Sequence, residues 1–207
     1  MKVKVCGITD DNTALAAVEL GADAIGFVFA ESKRRITLEK AKEIAVKLPK
    51  ETLKIGVFVN QTKEEIERIA AEVGLTHIQL HGDETERFCQ SFSIPVIKAF
   101  SIDNKQNLEK IASFPCDYLL LDGPKGKYRG GNGSSFEWAK IDSKFFDNRK
   151  VILAGGLTVE NVAEGIKMIN PYMVDVSSGV ETDGVKDTEK IKSFIQMAKG
   201  AKRRIKI

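Results

Sequence analysis

Eight short apolar runs, rich in β-branched residues, recur along this chain and are separated by segments with helical periodicity. Most of the runs are nearly continuous in hydrophobicity, which is typical of strands buried on both faces of a parallel sheet. They span residues 3–6, 24–29, 54–59, 77–80, 95–99, 118–121, 150–154 and 173–176. This alternation constrains the fold more than any other feature of the sequence.

The segments between the runs carry helix signals. Thr62 and Glu65 form a capping-box pattern, and Gly74 follows the last apolar residue of that helix. Thr158 is placed to cap the helix after the seventh run. Helices are also predicted over 83–92, 104–111 and, after a glycine-rich loop, 136–141. Alternating strands and helices therefore predict a sequence of eight βα units.

Eight such units in 207 residues fit one small (β/α)₈ TIM barrel of the α/β class, with residues 1–207 forming a single domain. The units recur about every 25 residues, and no linker or low-complexity segment divides them. A doubly wound open sheet is the competing architecture.

Charge and cysteine content exclude several classes of protein. The net charge is only +3, with both signs interspersed, so no nucleic-acid partner is expected, and the basic tail 199–207 is expected to be a solvated terminus. The three cysteines are far apart and show no metal-binding spacing, so neither disulfides nor a zinc site are expected. No apolar run approaches a membrane span and no signal peptide is recognisable, which predicts a cytoplasmic protein without a membrane partner.

The first strand carries two unusual side chains. Strand alternation puts Lys4 and Cys6 on one face, where the lysine charge must be solvated or paired. Such a charge favours the thiolate of a neighbouring cysteine, although a lone cysteine can equally be a small buried hydrophobe. In a closed barrel the eighth strand lies beside the first, so we expect Asp175 to point inward and pair with Lys4.

The loops after strands seven and eight predict a phosphate site. Gly155 and Gly156 follow one strand, and Ser177, Ser178 and Gly179 follow the next. Glycines allow the backbone to approach a ligand closely, and successive N–H groups attract anions. Each group alone is more often a tight turn, but barrels of this kind commonly bind phosphate at these two loops.

Three further polar residues follow strands at the same end of the barrel. Asp122 ends an apolar run, where a carboxyl group can stay protonated and act as an acid, or can simply begin a turn. Arg34 is suited to a bidentate contact with a carboxylate, or to solvation at the surface. His81 is by itself more often structural than catalytic.

Taken together, these residues resemble the phosphoribosylanthranilate isomerase family. The matching segments run through nearly the whole chain in order: Lys4-Val5-Cys6-Gly7-Ile8-Thr9, residues 21–29, Ser32-Lys33-Arg34, residues 56–60, Gln79-Leu80-His81-Gly82, Leu121-Asp122, Gly130-Gly131-Asn132-Gly133, Phe136-Glu137-Trp138, Ala154-Gly155-Gly156-Leu157 and residues 174–181. As a set, these motifs are highly specific.

The resemblance implies an enzyme of tryptophan biosynthesis that needs no metal and no cofactor. Its reaction is the Amadori rearrangement of N-(5-phosphoribosyl)anthranilate to 1-(2-carboxyphenylamino)-1-deoxyribulose 5-phosphate. By the same resemblance Cys6 is the general base, Asp122 the general acid and Arg34 the contact of the substrate carboxylate. The resemblance also implies that the loops after strands seven and eight bind the phosphate. Lys4, His81 and Asp175 are expected to support the active site.

Other functions are also compatible with parts of this sequence. A non-catalytic phosphosugar-binding barrel would need the glycine loops but not both Cys6 and Asp122. An indoleglycerol-phosphate synthase would need a catalytic lysine and glutamates, and a histidine-pathway isomerase an aspartate in place of Cys6. The family often has threonine or serine where this chain has Asn132, and no role is assigned to Tyr128 or Arg129. The partner expected is a small phosphorylated substrate, and the chain is expected to be a monomer or a homodimer.

Overall fold

Strands and helices alternate from the first residues onward. The computed structural model describes residues 1–102, 108–123, 141 and 143–201. Its first eight strands are β1 (Lys2–Cys6), β2 (Ala24–Val28), β3 (Leu53–Phe58), β4 (His77–Leu80), β5 (Val96–Ser101), β6 (Tyr118–Asp122), β7 (Val151–Leu153) and β8 (Met173–Val176). The helices are α1 (Asp11–Glu19), α2 (Leu38–Ala45), α3 (Lys63–Val73), α4 (Glu86–Cys89), α5 (Leu108–Ala112), α6 (Val162–Ile169) and α7 (Thr188–Gly200).

The eight strands form a closed parallel barrel in sequence order. The barrel closes where β8 pairs with β1, and Lys4 lies opposite Asp175 in that register. This confirms the predicted (β/α)₈ barrel and excludes the doubly wound sheet, which would leave two open edges. Because all strands run in one direction, the residues that follow them gather at one end of the barrel.

Strand boundaries agree with the sequence prediction within two residues, and those of β4 and β8 agree fully. Thr62 caps α3 by accepting from the Glu65 N–H, and Gly74 ends that helix at φ +69°. The prediction for Thr158 was wrong, because α6 begins after Asn161 and Thr158 instead donates its N–H to the Asn161 side chain. The helix predicted over 83–92 is also shorter, since only Glu86–Cys89 is helical.

Two apolar layers surround the sheet. Within the barrel, Ile55, Ile97, Leu120, Ile152 and Met173 pack against one another, and a larger cluster fills the space between strands and helices. Above the inner layer, the inward side chains become polar. Burying such groups is unfavourable unless they are paired. Their placement therefore indicates a functional site at this end of the barrel.

A small antiparallel hairpin follows β8 and was not predicted. It consists of β9 (Glu181–Thr182) and β10 (Val185–Lys186), and its turn residues Asp183 and Gly184 have φ of +53° and +82°. Positive φ at both central positions is the hairpin geometry that Asp-Gly favours. The hairpin places Lys186 directly opposite Glu181.

Several predicted features lie outside the described residues. These are the loop with Tyr128, Arg129 and Asn132, most of the helix over 136–141, the beginning of the helix over 104–111, and the end of the basic tail. Within the described part of the chain, no helix has the length and apolar character needed to cross a membrane.

Candidate active site

Lys4 is the centre of a buried polar cluster inside the barrel. Its Nζ donates to Asp175 Oδ2 at 2.7 Å and to Gln79 Oε1 at 2.6 Å, and the Cys6 thiol is close enough to interact with its charge. The predicted pairing of Lys4 with Asp175 is therefore confirmed. Burial lowers the pKa of Lys4, but the interactions with Asp175 and Cys6 raise it by more. The pKa of Lys4 is therefore raised above its usual value, and the side chain remains an ammonium ion.

Cys6 lies at the end of β1 with almost no solvent contact. Burial raises the pKa of its thiol above the usual value, and the positive charges of Lys4 and Lys186 offset this only in part. Gly26 on β2 provides the space for the thiol, because an added Cβ there would lie 2.7 Å from Cys6 Sγ. The resting residue is therefore a tightly enclosed thiol with cations beside it.

Glu181 joins two of the cations near this thiol. Arg34 donates to it through Nε at 2.6 Å and Nη2 at 2.7 Å, and Lys186 Nζ lies 2.6 Å from Glu181 Oε1. Gly7 lets the Arg34 side chain cross the end of β1, since its φ is +79° and any Cβ would collide with Arg34. The predicted carboxylate-binding arginine is thus held in a bidentate ion pair at the mouth of the barrel.

Ser177 links the hairpin to β1. Its hydroxyl donates to the Cys6 carbonyl oxygen at 3.1 Å and lies 3.3 Å from Lys186 Nζ, which also donates to the Ser177 carbonyl oxygen. The side chain of this predicted phosphate residue is therefore directed towards β1. Through its contacts with both residues, Ser177 holds Lys186 near Cys6.

Asp122 ends β6 on the other side of the same opening. Its Oδ2 lies 3.3 Å from His81 Nε2, and His81 Nδ1 lies 3.4 Å from Gln79 Nε2. Both side chains retain about a quarter of their solvent exposure, 26% for Asp122 and 28% for His81. They are thus open to a ligand in the barrel mouth.

The loops after β7 and β8 pack against each other. Gly155 and Gly156 have φ of +80° and +64°, and a Cβ at Gly179 would collide with the Leu157 carbonyl. In the described part of the chain, the N–H groups of Gly155, Gly156, Ser178 and Gly179 have no backbone acceptor. Unpaired N–H groups on two adjoining glycine-rich loops form an arrangement suited to an anion.

A second buried ion pair supports the loop that carries His81. Lys98 Nζ lies 3.0 Å from Glu84 Oε2 and donates to the Gly82 carbonyl oxygen at 2.6 Å, and Glu84 accepts from the Gly82 and Asn60 N–H groups. Lys98 is therefore a structural charge.

Comparison with known proteins identifies the family of this chain and agrees with its fold. The family model described as N-(5'-phosphoribosyl)anthranilate isomerase matches residues 3–197. The chain belongs to the phosphoribosylanthranilate isomerase family. It is 54% identical over 200 residues to the enzyme of Bacillus cereus (strain G9842), an alignment that covers 96% of this chain and 98% of the relative.

Solved structures of the family agree with this assignment. The isomerase of Thermotoga maritima superposes with a TM-score of 0.90 at 43% identity, covering 97% of this chain and 99% of that one. An isomerase in complex with reduced 1-(o-carboxyphenylamino)-1-deoxyribulose 5-phosphate has a TM-score of 0.86 at 42% identity, over 97% and 99% of the two chains. The enzyme is an isomerase of tryptophan biosynthesis that rearranges N-(5'-phosphoribosyl)anthranilate.

Sequence reasoning did not assign three polar residues of this isomerase site. Gln79 and Glu181 occur only within the matching sequence segments, without a role of their own, and Lys186 was not considered. The Asp183-Gly184 pair is a hairpin signal that identifies the Lys186–Glu181 pairing in advance. Among the described residues, no group of three or more His, Cys, Asp or Glu side chains is arranged to hold a metal ion.

Proposed function

We propose that Cys6 is the general base of the rearrangement and Asp122 its general acid. The observation that carries this assignment is the polar network in the barrel mouth, in which the charge of Lys4 acts on the Cys6 thiol and Asp122 Oδ2 lies 3.3 Å from His81 Nε2. The two residues end strands one and six, which lie on different sides of the opening. A sugar held between them is accessible to an acid from one side and a base from the other.

The proposed chemistry needs one proton donor and one proton acceptor. Asp122 gives its proton to the furanose ring oxygen, the bond from that oxygen to C1′ breaks, and the amine lone pair forms a protonated Schiff base at C1′. Cys6, as the thiolate, removes the proton from C2′, and the electrons of that bond form the enolamine. The enolamine then tautomerises to the C2′ ketone.

The charges around Cys6 suit a base that must ionise in a buried place. Lys4, Arg34 and Lys186 are positive, and Asp175 and Glu181 are negative, so the cluster is electrically balanced when Cys6 is a thiolate. Asp175 Oδ1 is buried without a hydrogen-bond partner among the described residues. We assign this oxygen to a hydroxyl of the substrate, because an unpaired buried acceptor is costly.

The pH dependence of the reaction tests the role of Lys186. A base acts deprotonated, so kcat/KM should rise with pH until the raised pKa of Cys6 is passed. Lys186→Met removes a cation that favours the thiolate, and this should move the acidic limb of the profile upward by about one pH unit. Lys190→Met is the control, because the ammonium group of this exposed lysine donates to the Glu181 backbone carbonyl oxygen at 2.8 Å, and not to its carboxylate. An unshifted limb in Lys186→Met would contradict the assignment.

The role of Arg34 is tested with two substrates. Arg34→Met should raise KM for phosphoribosylanthranilate by about tenfold to a hundredfold, because a charge-assisted carboxylate contact is lost. An otherwise identical phosphoribosylaniline, which lacks the carboxylate, should show little of this increase. The neighbouring Arg35 is exposed, so Arg35→Met is the control variant. Turnover of the natural substrate is followed by the loss of phosphoribosylanthranilate fluorescence. Equal losses on both substrates would assign Arg34 to holding the hairpin and not to the carboxylate.

Three broader expectations complete the proposal. The N–H groups of Gly155, Gly156, Ser178 and Gly179, which have no backbone acceptor among the described residues, bind the substrate phosphate. Residues 1–207 act as one catalytic domain, and a cytoplasmic location follows from the biosynthetic role. The T. maritima isomerase is dimeric, and for this chain we propose a monomer or a homodimer, which sedimentation would distinguish.

A further inference from the structure

A chain of polar side chains crosses the barrel from Lys4 to Asp122. Lys4 Nζ lies 2.6 Å from Gln79 Oε1, Gln79 Nε2 lies 3.4 Å from His81 Nδ1, and His81 Nε2 lies 3.3 Å from Asp122 Oδ2. Gln79 is almost fully buried, with 2% exposure. These side chains therefore connect the cation beside Cys6 with the carboxyl group of Asp122.

The direction of the hydrogen bonds in this row of side chains is determined by Lys4. An ammonium group has three donors and no acceptor, so the group of Gln79 that faces Lys4 must be its carbonyl oxygen. The amide nitrogen of Gln79 then faces His81. An amide nitrogen only donates, so His81 Nδ1 must be the acceptor.

This order of donors and acceptors leaves one tautomer for His81. With Nδ1 accepting, the ring hydrogen must lie on Nε2, which faces Asp122 Oδ2. A doubly protonated ring would place an N–H against the Gln79 amide hydrogens. Among the described residues, Asp122 on β6 and Asp175 on β8 are charged groups near this ring, and Lys4 on β1 is connected to it through Gln79.

The same order distinguishes the two oxygens of Asp122. Oδ2 accepts from His81, so the proton of the neutral acid must lie on Oδ1. Oδ1 is on the side of the loop after β7, because a Cβ added to Gly155 would collide with it. That is the side on which the phosphate loops approach the barrel mouth.

We infer that Gln79 is a positioning residue that holds His81 in the Nε2–H tautomer and thereby directs the acid proton of Asp122 to Oδ1, towards the substrate. The inference rests on the proposed function, because it requires Asp122 to be the acid. It assigns Lys4 a second role, since the cation beside the base also orients the acid through Gln79. In this tautomer the ring hydrogen of His81 is directed at Asp122 and not at the substrate.

The tautomer can be observed directly because the chain has only two histidines, His77 and His81. In a two-dimensional spectrum that correlates imidazole ¹⁵N with the ring protons, wild-type His81 should give the pattern of a neutral Nε2–H ring at pH 7.5. His77, whose Nδ1 lies 2.9 Å from Thr76 Oγ1, is an internal reference. An Nδ1–H or imidazolium pattern for wild-type His81 would overturn the inference without any variant.

Two variants test whether Gln79 is the cause. Gln79→Glu presents only acceptors, so His81 should carry a hydrogen on Nδ1, and kcat should fall by about tenfold or more. Gln79→Met removes both hydrogen bonds and should leave a mixture of tautomers, which keeps the test open if the glutamate variant folds poorly. Gln90→Glu makes the same chemical change on the exposed end of α4 and should alter neither the spectrum nor kcat.

The outcomes separate this inference from the acid assignment. An unchanged His81 pattern in both Gln79 variants, or a changed pattern with unchanged kcat, would overturn the positioning role while leaving Asp122 as the acid. If Asp122→Asn retains activity while the tautomer still follows Gln79, the acid assignment fails and the directed proton on Oδ1 fails with it.

Discussion

Replacing Cys6 with serine should lower kcat by about a thousandfold. Serine is close to cysteine in size and fits beside Gly26, but its hydroxyl is a much weaker acid than a thiol. The cations that offset burial for the Cys6 thiol, Lys4 and Lys186, are insufficient to ionise an alcohol at neutral pH. The variant should therefore retain its fold and its affinity for a product analogue while losing the base.

Cys116→Ser is the matched control for this substitution. Cys116 lies just before β6, at the opposite end of the barrel, and its thiol donates to the Tyr118 carbonyl oxygen at 3.2 Å. A hydroxyl preserves that hydrogen bond, so the turnover of this variant should stay within about twofold of wild type. A Cys6→Ser variant that keeps more than about a tenth of wild-type kcat would remove Cys6 from the role of base, since general-base catalysis contributes at least about a hundredfold.

The second large effect is expected for Asp122→Asn, which should also reduce kcat by about a thousandfold. The amide has nearly the same shape as the carboxyl group, but it cannot give a proton to the furanose oxygen. It can still accept from His81 through its own oxygen. Substrate binding should therefore be largely retained, and the loss should appear in kcat.

The two variants should also differ in how their residual rates depend on pH. A bell-shaped profile reports a base on its acidic limb and an acid on its alkaline limb. Cys6→Ser should lose the acidic limb and Asp122→Asn the alkaline one. Asp83→Asn is the control for the second variant, because Asp83 is exposed on the same rim, two residues beyond His81. A variant pair that lost the same limb would contradict the separate roles of acid and base.

Barrel closure explains why the Lys4–Asp175 contact was predictable. The two residues are 171 positions apart, but alternation in each strand puts both on the inner face, and a barrel of eight units must bring strand eight beside strand one. The prediction used only periodicity and topology. The same reasoning located Cys6 and Asp122 at the ends of their strands.

Other contacts depend on side-chain geometry that no periodicity specifies. The Glu181 carboxylate binds both Arg34 and Lys186 because a two-residue turn folds the chain back after β8. The contact of Gln79 with Lys4 depends on how far two side chains reach across the barrel. Thr158 was misassigned because the loop after β7 extends three residues further and uses the Asn161 side chain to bind Thr158 N–H and the Gly156 carbonyl.

The sequence by itself determined the alternation of strands and helices, the number of barrel units and the end of the barrel at which the chemistry lies. These follow from local periodicity, because a strand repeats every two residues and a helix every 3.6. Only the tertiary structure decided that burial raises the pKa of Cys6, that Lys186 lies near it and that Gln79 connects Lys4 to His81. Such facts depend on distances and desolvation between residues remote in sequence, and those quantities exist only after the barrel has closed.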